Sequence, residues 1–400
     1  MKILVINCGS SSLKYQLIDT NGDKVMAKGL VERIGIEGSL ITHRTNGQKI
    51  KQEMDIPDHK VGIKLVVDAL LNPGHGALQS LDEIAAVGHR VVHGGEKFAD
   101  SVVINEEVMA TLRDCSDLAP LHNPANIIGI EACRALLPDV AQVAVFDTAF
   151  HQTMPAEAYV YGLPYEFYEK YGVRRYGFHG TSHKYVAGRA AKLLGRPLNE
   201  LKLVTCHLGN GSSITAVKGG LSVDTSLGFG TISGTIMGTR SGDVDPAVLP
   251  YLMQQANLSP AEMNDIIYKQ SGLLGISGIS SDARDVEAAA DEGNERAKLA
   301  LDILCYLTRK YIGAYSAAMG GLDAIIFTAG IGENSTTIRH QICQGLEFLG
   351  AKMDSAKNNT RGQEIDISTP DSQVRILVIP TNEELMIAQE TAALVTKKVD

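Results

Sequence analysis

A strand–turn–strand pattern occurs once in each half of this 400-residue chain and limits its fold more than any other feature. The first copy is residues 4–13 (LVINCGSSSL), and the second is residues 204–214 (VTCHLGNGSSI). In each copy an apolar strand is joined to a second strand through a turn rich in Gly and Ser. Such turns also occur in unrelated hairpins, so two explanations stay open: coincidence, or an internal duplication with a cleft between the halves.

Strand-like and helix-like segments alternate along the rest of the chain, which predicts an α/β fold. A chain of this length is expected to form two domains rather than one. Strands are predicted at residues 2–6, 13–19, 83–92, 143–146, 324–328 and 374–380, and helices at residues 182–194, 285–310 and from about residue 383 onward.

Charge and composition exclude several classes of partner. The net charge of -9 argues against nucleic acid and anionic membranes, because both require a surplus of Lys and Arg. No stretch approaches the roughly 20 apolar residues of a membrane span, and the apolar run at residues 1–6 is too short for a secretory signal. The six cysteines are scattered without a C-x-x-C pair, which predicts reduced, mostly buried thiols. We therefore expect a cytoplasmic protein.

Three loops of small residues follow predicted strands and have the composition of phosphate-binding turns. They are residues 7–12, residues 207–213 and residues 330–335. Small residues let backbone N–H groups converge on one anion, and Lys14 would project to the same face as Ser12 beside the first loop. None is a Walker A loop, and the third lacks the G-x-G-x-x-G spacing of a dinucleotide-binding dehydrogenase. Each loop alone is compatible with a structural turn, but three at strand ends indicate anion binding.

Two arginines and one aspartate lie where a buried charge needs a partner. Arg90 ends an otherwise apolar strand, and Arg240 lies in the Gly-rich segment 237–243. Burial of a guanidinium group is costly, so each arginine requires either a carboxylate within the protein or an anionic ligand. Asp147 directly follows the strand at residues 143–146, at the edge where α/β sheets bind ligands. Metal coordination or orientation of a reacting group suits Asp147, and a structural cap is the alternative.

Two histidine pairs show the H-x-x-x-H spacing that zinc enzymes use on helices. They are His89 with His93 and His179 with His183. Neither has the Glu of H-E-x-x-H, and the first lies on a strand-like run, so zinc is disfavoured. His179 is better interpreted as a hydrogen-bond donor.

These segments together resemble the acetate kinase family, within the superfamily that includes sugar kinases, Hsp70-type ATPases and actin. The resemblance implies a duplicated actin-like ATPase (ribonuclease H-like) fold and a homodimer. It implies one domain at residues 1–149 plus 385–400, a second at residues 150–384, and an active-site cleft between the domains. Ten ordered motifs carry it, at residues 7–14, 89–95, 119–124, 145–151, 175–183, 207–212, 237–243, 281–284, 328–334 and 380–384.

The resemblance also implies an activity and a set of site residues. The activity is reversible, direct in-line transfer of the ATP γ-phosphoryl group to acetate, giving acetyl phosphate and ADP, with Mg²⁺ (or Mn²⁺). The implied metal positions are Asn7 and Glu383; the carboxylate-binding and acid/base positions are Arg90 and Asp147; the transition-state stabilisers are His179 and Arg240, with His122 close by. The implied acyl pocket is Val92, Leu121, Phe178 and Thr231, and the implied nucleotide site is Lys14, His207, Leu208, Gly209, Asn210, Gly211, Asp282, Ala283, Arg284, Gly330, Ile331, Gly332, Glu333 and Asn334.

Electrostatics agree with these roles. A carboxylate that attacks a γ-phosphate is repelled by about 4 kcal/mol per charge pair at 4 Å and an effective dielectric near 20. Arginines from the two halves that converge beside a divalent cation offset this repulsion; the mechanism fails if Arg90 and Arg240 lie far apart or are locked in ion pairs of their own. Because a carboxylate needs no deprotonation, Asp147 is expected to align groups or hold the metal rather than act as a general base.

Two other activities remain open. Thr231 stands where the family usually has proline, and this change in the acyl pocket favours a propionate kinase as the alternative. An actin-like or Hsp70-like ATPase is a more distant alternative, because Arg90 and Arg240 serve an anionic acceptor rather than a water molecule.

Overall fold

The structure is a computed structural model that describes residues 1–120 and 122–396. Its strands are β1 (Lys2–Cys8), β2 (Ser12–Asp19), β3 (Lys24–Glu32), β4 (Leu40–Thr45), β5 (Gln48–Glu53), β6 (Ile84–Val91), β7 (Val102–Val103), β8 (Ala141–Phe146), β9 (Lys202–Leu208), β10 (Ser212–Lys218), β11 (Leu221–Thr225), β12 (Ala324–Thr328), β13 (Ile365–Asp366) and β14 (Arg375–Val378).

The α-helices lie mainly between and after these strands. They are α1 (His59–Leu71), α2 (Glu106–Asp114), α3 (Asn123–Leu136), α4 (Ala156–Tyr159), α5 (Glu166–Tyr171), α6 (Gly180–Leu194), α7 (Val248–Gln255), α8 (Pro260–Lys269), α9 (Gly272–Ser277), α10 (Ala283–Asp291), α11 (Glu295–Met319), α12 (Ala329–Asn334), α13 (Thr336–Cys343), α14 (Ser355–Asn358) and α15 (Glu383–Thr396).

The chain divides into two compact units. The first unit is residues 1–152 together with the chain from residue 382 onward, and the second unit is residues 153–381. Within the described residues, each unit contains one sheet. The predicted domain bounds, with divisions after residues 149 and 384, stay a prediction.

In the first unit the sheet has the order β5-β4-β3-β2-β1-β6-β8-β7. Strand β1 pairs antiparallel with β2 and parallel with β6, which in turn pairs parallel with β8. Apolar side chains of β1 and β2 pack with those of α1 and α3 in a buried cluster, and each fully buried Leu or Ile contributes about 1.5–3 kcal/mol. Helix α15 approaches β6 so closely that a Cβ on Gly88 would lie 2.5 Å from Thr391 Oγ1, so this contact requires glycine.

In the second unit the sheet has the order β11-β10-β9-β12-β14-β13. Strand β9 pairs antiparallel with β10 and parallel with β12, and β12 pairs parallel with β14. The 25-residue helix α11 contributes a row of buried side chains to the cluster over this sheet, among them Leu304, Ile312 and Met319.

The two sheets share a central topology. Strands β3-β2-β1-β6-β8 of the first sheet and β11-β10-β9-β12-β14 of the second have the same order and the same pattern of parallel and antiparallel neighbours. The recurring sequence pattern forms the equivalent hairpin in each, β1–β2 and β9–β10. The predictions of an α/β fold and of an internal duplication are therefore confirmed.

The structure corrects two details of the sequence interpretation. Residues 285–310 were expected to form one helix, but α10 ends at Asp291 and α11 begins at Glu295. The break occurs because Gly293 adopts φ +92°, and because the side chain of Asn294 accepts a hydrogen bond from Ala297 N and caps the new helix. Residues 330–334, expected to be a loop that opens a helix, are themselves part of the short helix α12.

Two further properties bear on the composition-based predictions. All six cysteines are buried and unbridged, as the sequence predicts. None of the helices in the described part of the chain is long and apolar enough to span a bilayer.

Candidate active site

In the first unit, Arg90 and Asp147 form a two-point ion pair at the carboxyl ends of neighbouring strands. Arg90 is the penultimate residue of β6, and Asp147 directly follows β8. Arg90 Nε donates to Asp147 Oδ1 at 3.1 Å, and Nη2 donates to Oδ2 at 2.5 Å. The Asp147 side chain is 2% exposed and the Arg90 side chain is 26% exposed. The sequence analysis allowed either a carboxylate of the protein or an anionic ligand as the partner of Arg90. The structure shows the carboxylate, Asp147.

The remaining edge of the guanidinium group faces the first small-residue turn. Arg90 Nη1 lies 3.5 Å from the amide oxygen of Asn7, the residue of β1 that pairs with Lys14 of β2. Gly9 N donates to Ser12 O at 2.8 Å and closes the turn tightly. Asn126 of α3 holds the start of this turn, because Asn126 Nδ2 donates a hydrogen bond to Cys8 O at 2.8 Å.

Glu383 brings another carboxylate to this edge of the first sheet. It begins α15 and is partly buried. Burial raises the pKa of Glu383 to about 7; Arg90 opposes this shift, and the nearby carboxylates of Asp147 and Glu384 add to it. The positive charge of Arg90 thus does not overcome the cost of burying this carboxylate, and a further cation would lower the pKa of Glu383.

The donor atoms in this region fit Mg²⁺ or Mn²⁺, which prefer hard oxygen ligands. Asn7 supplies an amide oxygen, and Glu383 supplies a carboxylate whose raised pKa a cation would relieve. In the described part of the chain, no group of three or more His, Cys, Asp and Glu side chains could hold a metal ion. An ion held by Asn7 and Glu383 would therefore need further ligands from bound phosphates and water, as nucleotide-bound Mg²⁺ does.

In the second unit, Arg240 differs from Arg90 in its partners. Arg240 Nη1 donates to the carbonyl oxygen of Thr231 at 3.0 Å, and among the described residues no carboxylate forms a salt bridge with Arg240. Burial lowers the pKa of the Arg240 guanidinium from its usual value, because the partly buried cation loses hydration. Since the described residues supply no carboxylate, the other alternative of the sequence analysis, an anionic ligand, is the one that fits Arg240.

The loop that carries Arg240 is held by its backbone. Met237 N donates to Arg240 O at 3.1 Å, and Ser271 N donates to Thr239 O at 2.9 Å. A Cβ on Gly272, which adopts φ +64°, would lie 2.0 Å from Met237 O, so only glycine permits this approach. The guanidinium group is thus presented from a rigid loop.

His179 converges on the same point as Arg240. It adopts φ +58°, an uncommon conformation for a residue other than glycine, immediately before α6. Its ring stacks on that of His207, with centroids 4.2 Å apart. A Cβ on Gly211 would lie 3.6 Å from both Arg240 Nη1 and His179 Nε2, so the absence of a side chain there leaves a small space bounded by two nitrogen-bearing groups. The space suits an anion.

The predicted nucleotide residues of the second unit lie on three structural features. The turn at residues 208–211 joins β9 to β10, where Ser212 Oγ donates to Gly209 O at 3.1 Å. Asp282 caps α10 and forms an ion pair with the 87% exposed Arg284, whose hydrogen bonds lower the pKa of Asp282 to about 2. The remaining residues lie in or beside α12 and α10: Ala283, Gly330, Ile331, Gly332, Glu333 and Asn334.

The predicted acyl-pocket residues are divided between the units. Val92 is buried in the first unit, Phe178 is buried in the second, and Thr231 of the second is half-buried. His122 precedes α3 in the first unit and is exposed. Leu121 lies outside the described residues. This pocket stays a prediction.

Three supporting residues were not predicted from the sequence. Asn126 joins the first turn to Val92, Ser182 Oγ bonds to His207 Nδ1 at 2.8 Å, and Ser213 Oγ bonds to His179 Nδ1 at 2.9 Å. Both serines lie within segments that the sequence analysis had selected, Ser182 in residues 175–183 and Ser213 in residues 207–213, which is a usable signal. Asn126 lies within a helix and carries no such signal.

Comparison with known proteins gives a consistent result over the whole chain. Residues 2–389 match the model of the acetokinase family. The acetate kinase of Desulfitobacterium hafniense is 62% identical over 99% of this chain and 100% of its own. The crystal structure of Porphyromonas gingivalis acetate kinase superposes with a TM-score of 0.96 at 50% identity, covering 98% of this chain and 99% of its own. A propionate kinase from Francisella tularensis superposes with a TM-score of 0.91 at 44% identity, covering 98% and 99%.

Members of this family use ATP as co-substrate. With this match over nearly every residue, the chain belongs to the acetokinase family of kinases, which transfer phosphate to a carboxylate.

Proposed function

We propose that this chain transfers the γ-phosphoryl group of ATP to acetate, reversibly and by direct in-line displacement, giving acetyl phosphate and ADP. The observation that carries the proposal is Arg240: a partly buried guanidinium group beside His179 and Gly211 with no carboxylate partner among the described residues. Such a group stabilises charge on a transferring phosphoryl group. The high identity to acetate kinases supports acetate as the acceptor.

Arg90 binds the acceptor carboxylate in this proposal. Asp147 occupies the Nε–Nη2 edge of its guanidinium group, so a second carboxylate would bind at the Nη1–Nη2 edge, in place of the 3.5 Å contact of Nη1 with Asn7. Asp147 then acts by fixing the plane of Arg90 rather than by removing a proton, because the acceptor is already ionised at neutral pH. Val92, Leu121, Phe178 and Thr231 are proposed to enclose the methyl group.

Arg240 and His179 stabilise the transferring phosphoryl group, with His122 as a further proposed donor. The backbone N–H groups of the turn at residues 208–211 contact phosphate oxygens, as in other turns of small residues. The remaining nucleotide contacts are proposed for Lys14, His207, Asp282, Ala283, Arg284, Gly330, Ile331, Gly332, Glu333 and Asn334.

Asn7 and Glu383 are proposed to hold Mg²⁺, or Mn²⁺ in its place. When bound, the ion neutralises charge on the β- and γ-phosphate oxygens. The chain's own contribution is the carboxylate of Glu383, which must be deprotonated to bind the ion.

Three properties outside the site complete the proposal. The net charge of -9, the buried cysteines and the family resemblance support a cytoplasmic protein. The resemblance also supports a homodimer, which sedimentation equilibrium would test. The proposed domains, residues 1–149 plus 385–400 and residues 150–384, are tested by limited proteolysis with and without nucleotide.

Propionate is a second candidate acceptor. A structural neighbour at 44% identity is a propionate kinase, and Thr231 replaces the family's usual proline in the proposed acyl pocket. One methylene in an apolar pocket changes selectivity by only about 1–3 kcal/mol, so a small change of shape is sufficient to alter the preference.

A hydroxamate assay with ATP, Mg²⁺ and an acetate, propionate and butyrate series tests the proposal. Acyl hydroxamate formation with the highest kcat/KM for acetate is the expected result. A higher kcat/KM for propionate would favour the second candidate. ATP hydrolysis that is fast and independent of any added acid would contradict both and favour an ATPase.

A further inference from the structure

A continuous row of hydrogen-bonded hydroxyl and imidazole groups lies on the Nδ1 side of His179. His179 Nδ1 lies 2.9 Å from Ser213 Oγ, which lies 2.7 Å from His183 Nε2. His183 Nδ1 in turn lies 2.7 Å from Thr205 Oγ1. Ser213, His183 and Thr205 are 0% exposed, so water does not reach their side chains from outside.

The number of protons in this row allows two arrangements. Each hydroxyl carries one proton, and a buried neutral imidazole has one donor and one acceptor nitrogen. In the first arrangement Thr205 donates to His183 Nδ1, His183 Nε2–H donates to Ser213, and Ser213 donates to His179 Nδ1. In the second every bond is reversed, and the Thr205 hydroxyl turns to the carbonyl oxygen of Thr215, 3.4 Å away.

The two arrangements differ in whether His179 Nε2 carries a proton or a lone pair. In the first, neutral His179 presents Nε2–H; in the second, it presents an Nε2 lone pair. Nε2 and Arg240 Nη1 both lie 3.6 Å from the position of a Cβ on Gly211, where the proposed phosphoryl group would bind. A lone pair repels an anion and an N–H group attracts it, so a bound anion selects the first arrangement.

His207 repeats this support in the same unit. Its Nδ1 lies 2.8 Å from Ser182 Oγ, a side chain that is also 0% exposed, and its ring stacks on His179. Each of the two stacked imidazoles therefore has its Nδ1 bound to a buried serine. Serine on Nδ1 is thus a repeated feature of this site rather than a single contact.

We propose that Ser213 is a positioning residue, which donates its proton to His179 Nδ1 so that a neutral His179 presents Nε2–H to the transferring phosphoryl group. His183 and Thr205 fix the direction in which Ser213 donates. The inference rests on the proposed function, and in particular on the role of His179.

The test compares three variants. Ser213→Ala removes the donor, His179→Ala removes the imidazole, and Thr215→Val is the matched control, because Thr215 is an equally buried hydroxyl on β10 that bonds to Thr225 Oγ1 at 2.8 Å. Ser213→Ala is expected to lower kcat about 10- to 100-fold with KM for ATP and acetate changed less than about 3-fold, and Thr215→Val to stay within about 2-fold of wild type. A melting temperature for each variant separates unfolding from loss of rate.

Spectroscopy of the wild-type protein gives a readout that a purely structural role would not move. The ¹⁵N spectrum of its histidines, with ADP, Mg²⁺ and nitrate as a planar phosphoryl mimic, is expected to show His179 Nδ1 unprotonated and Nε2 protonated.

The outcomes distinguish the inference from the function on which it rests. If His179→Ala is severely impaired while Ser213→Ala matches Thr215→Val, the inference alone is overturned. A protonated His179 Nδ1 in the complex also overturns it. If His179→Ala retains wild-type turnover, the role of His179 and the inference are both wrong, whereas the hydroxamate assay of the wild type decides the overall activity independently.

Discussion

The two units build different charge environments on the same arrangement of strands. Hairpin β1–β2 and hairpin β9–β10 lie at equivalent places in sheets of equal central topology. Beside the first, Arg90 is bound to Asp147, and Glu383 and Glu384 add negative charge. Beside the second, Arg240 bonds to a backbone carbonyl, and His179, which is hydrogen-bonded to Ser213, lies across the space at Gly211.

This difference separates what the duplicated fold provides from what side chains add. The fold provides a tight turn between two antiparallel strands, and turns of small residues are able to direct backbone N–H groups at an anion. The side chains then determine which charge each unit favours. Acidic groups in the first unit favour a cation, and Arg240 in the second, which has no carboxylate partner among the described residues, favours an anion. The predictions below test this division.

The largest effect is expected for Arg240→Ala. This variant removes the one guanidinium group of the site with no carboxylate partner in the described residues, so kcat is expected to fall by roughly 10³ or more while nucleotide binding survives. Steady-state kinetics and calorimetric titration with ADP measure the two quantities. Arg196→Ala, which removes a partly exposed arginine paired with Asp323, is the control and should retain wild-type kcat. Retention of a tenth of wild-type turnover in Arg240→Ala would refute its role.

A smaller effect, of about 10²-fold in kcat/KM for acetate, is expected when Asp147→Asn breaks the ion pair of the first unit. If Asp147 acts by orienting Arg90, the double variant Arg90→Ala/Asp147→Asn should be about as slow as Arg90→Ala alone, because an absent side chain cannot be oriented. A double-mutant cycle on kcat/KM measures this. Fully additive losses would show that Asp147 acts separately from Arg90, for instance on the metal.

Glu383 gives a pH-dependent prediction. Its pKa is raised from 4.5 to about 7, so below pH 7 a cation must displace a proton from it. The apparent affinity for Mg²⁺ is expected to weaken up to about tenfold per pH unit below pH 7 and to level off above it. Titration of nucleotide binding with Mg²⁺ from pH 5.5 to 8.5 measures this, and Glu383→Gln should reduce the slope to the part that titration of the nucleotide phosphates contributes. An equal slope in Glu383→Gln would assign the proton to another group.

The raised pKa of Glu383 also predicts the direction in which the stability of the folded protein changes with pH. Because the folded protein binds this proton more tightly than the unfolded chain, the metal-free protein loses stability as the pH rises from 4.5 to 7, by about 3 kcal/mol at most. Glu383→Gln should remove this loss and be more stable than wild type above pH 7 without metal. Urea denaturation at pH 5 and pH 8 compares the two proteins, and a less stable Glu383→Gln at pH 8 would contradict the interpretation.

Much of the fold was predictable because strands, turns and helix ends are marked by residues that are close together in the sequence. The strand at residues 324–328 and the start of α15 near Glu383 were predicted from apolar runs and turn residues, and they lie where expected. The break between α10 and α11 was missed, although Gly293 and Asn294 are a C-terminal glycine followed by a capping residue. Helix-forming residues on both sides outweighed that signal.

The site was only partly predictable, for a different physical reason. Sequence shows that Arg90 and Arg240 are costly to bury, but not which of them has a carboxylate partner, since Asp147 lies 57 positions from Arg90 and pairing depends on the order of strands in the sheet. The hydrogen bonds of Ser213 to two histidines likewise depend on how α6 packs against β9 and β10. Motifs identify the groups; their partners follow from the topology.

The smallest effect is expected at Thr231, which contributes to the second unit in two ways. Its carbonyl oxygen accepts a hydrogen bond from Arg240, and proline retains a carbonyl oxygen, so Thr231→Pro should leave kcat for acetate within about 2-fold. Its side chain is the proposed wall of the acyl pocket, so the ratio of kcat/KM for propionate to that for acetate should change by about 10-fold. Thr231→Val, which preserves shape, is the control and should change the ratio less. An unchanged ratio in Thr231→Pro would exclude Thr231 from the pocket and leave only its backbone in the site, as a support for Arg240.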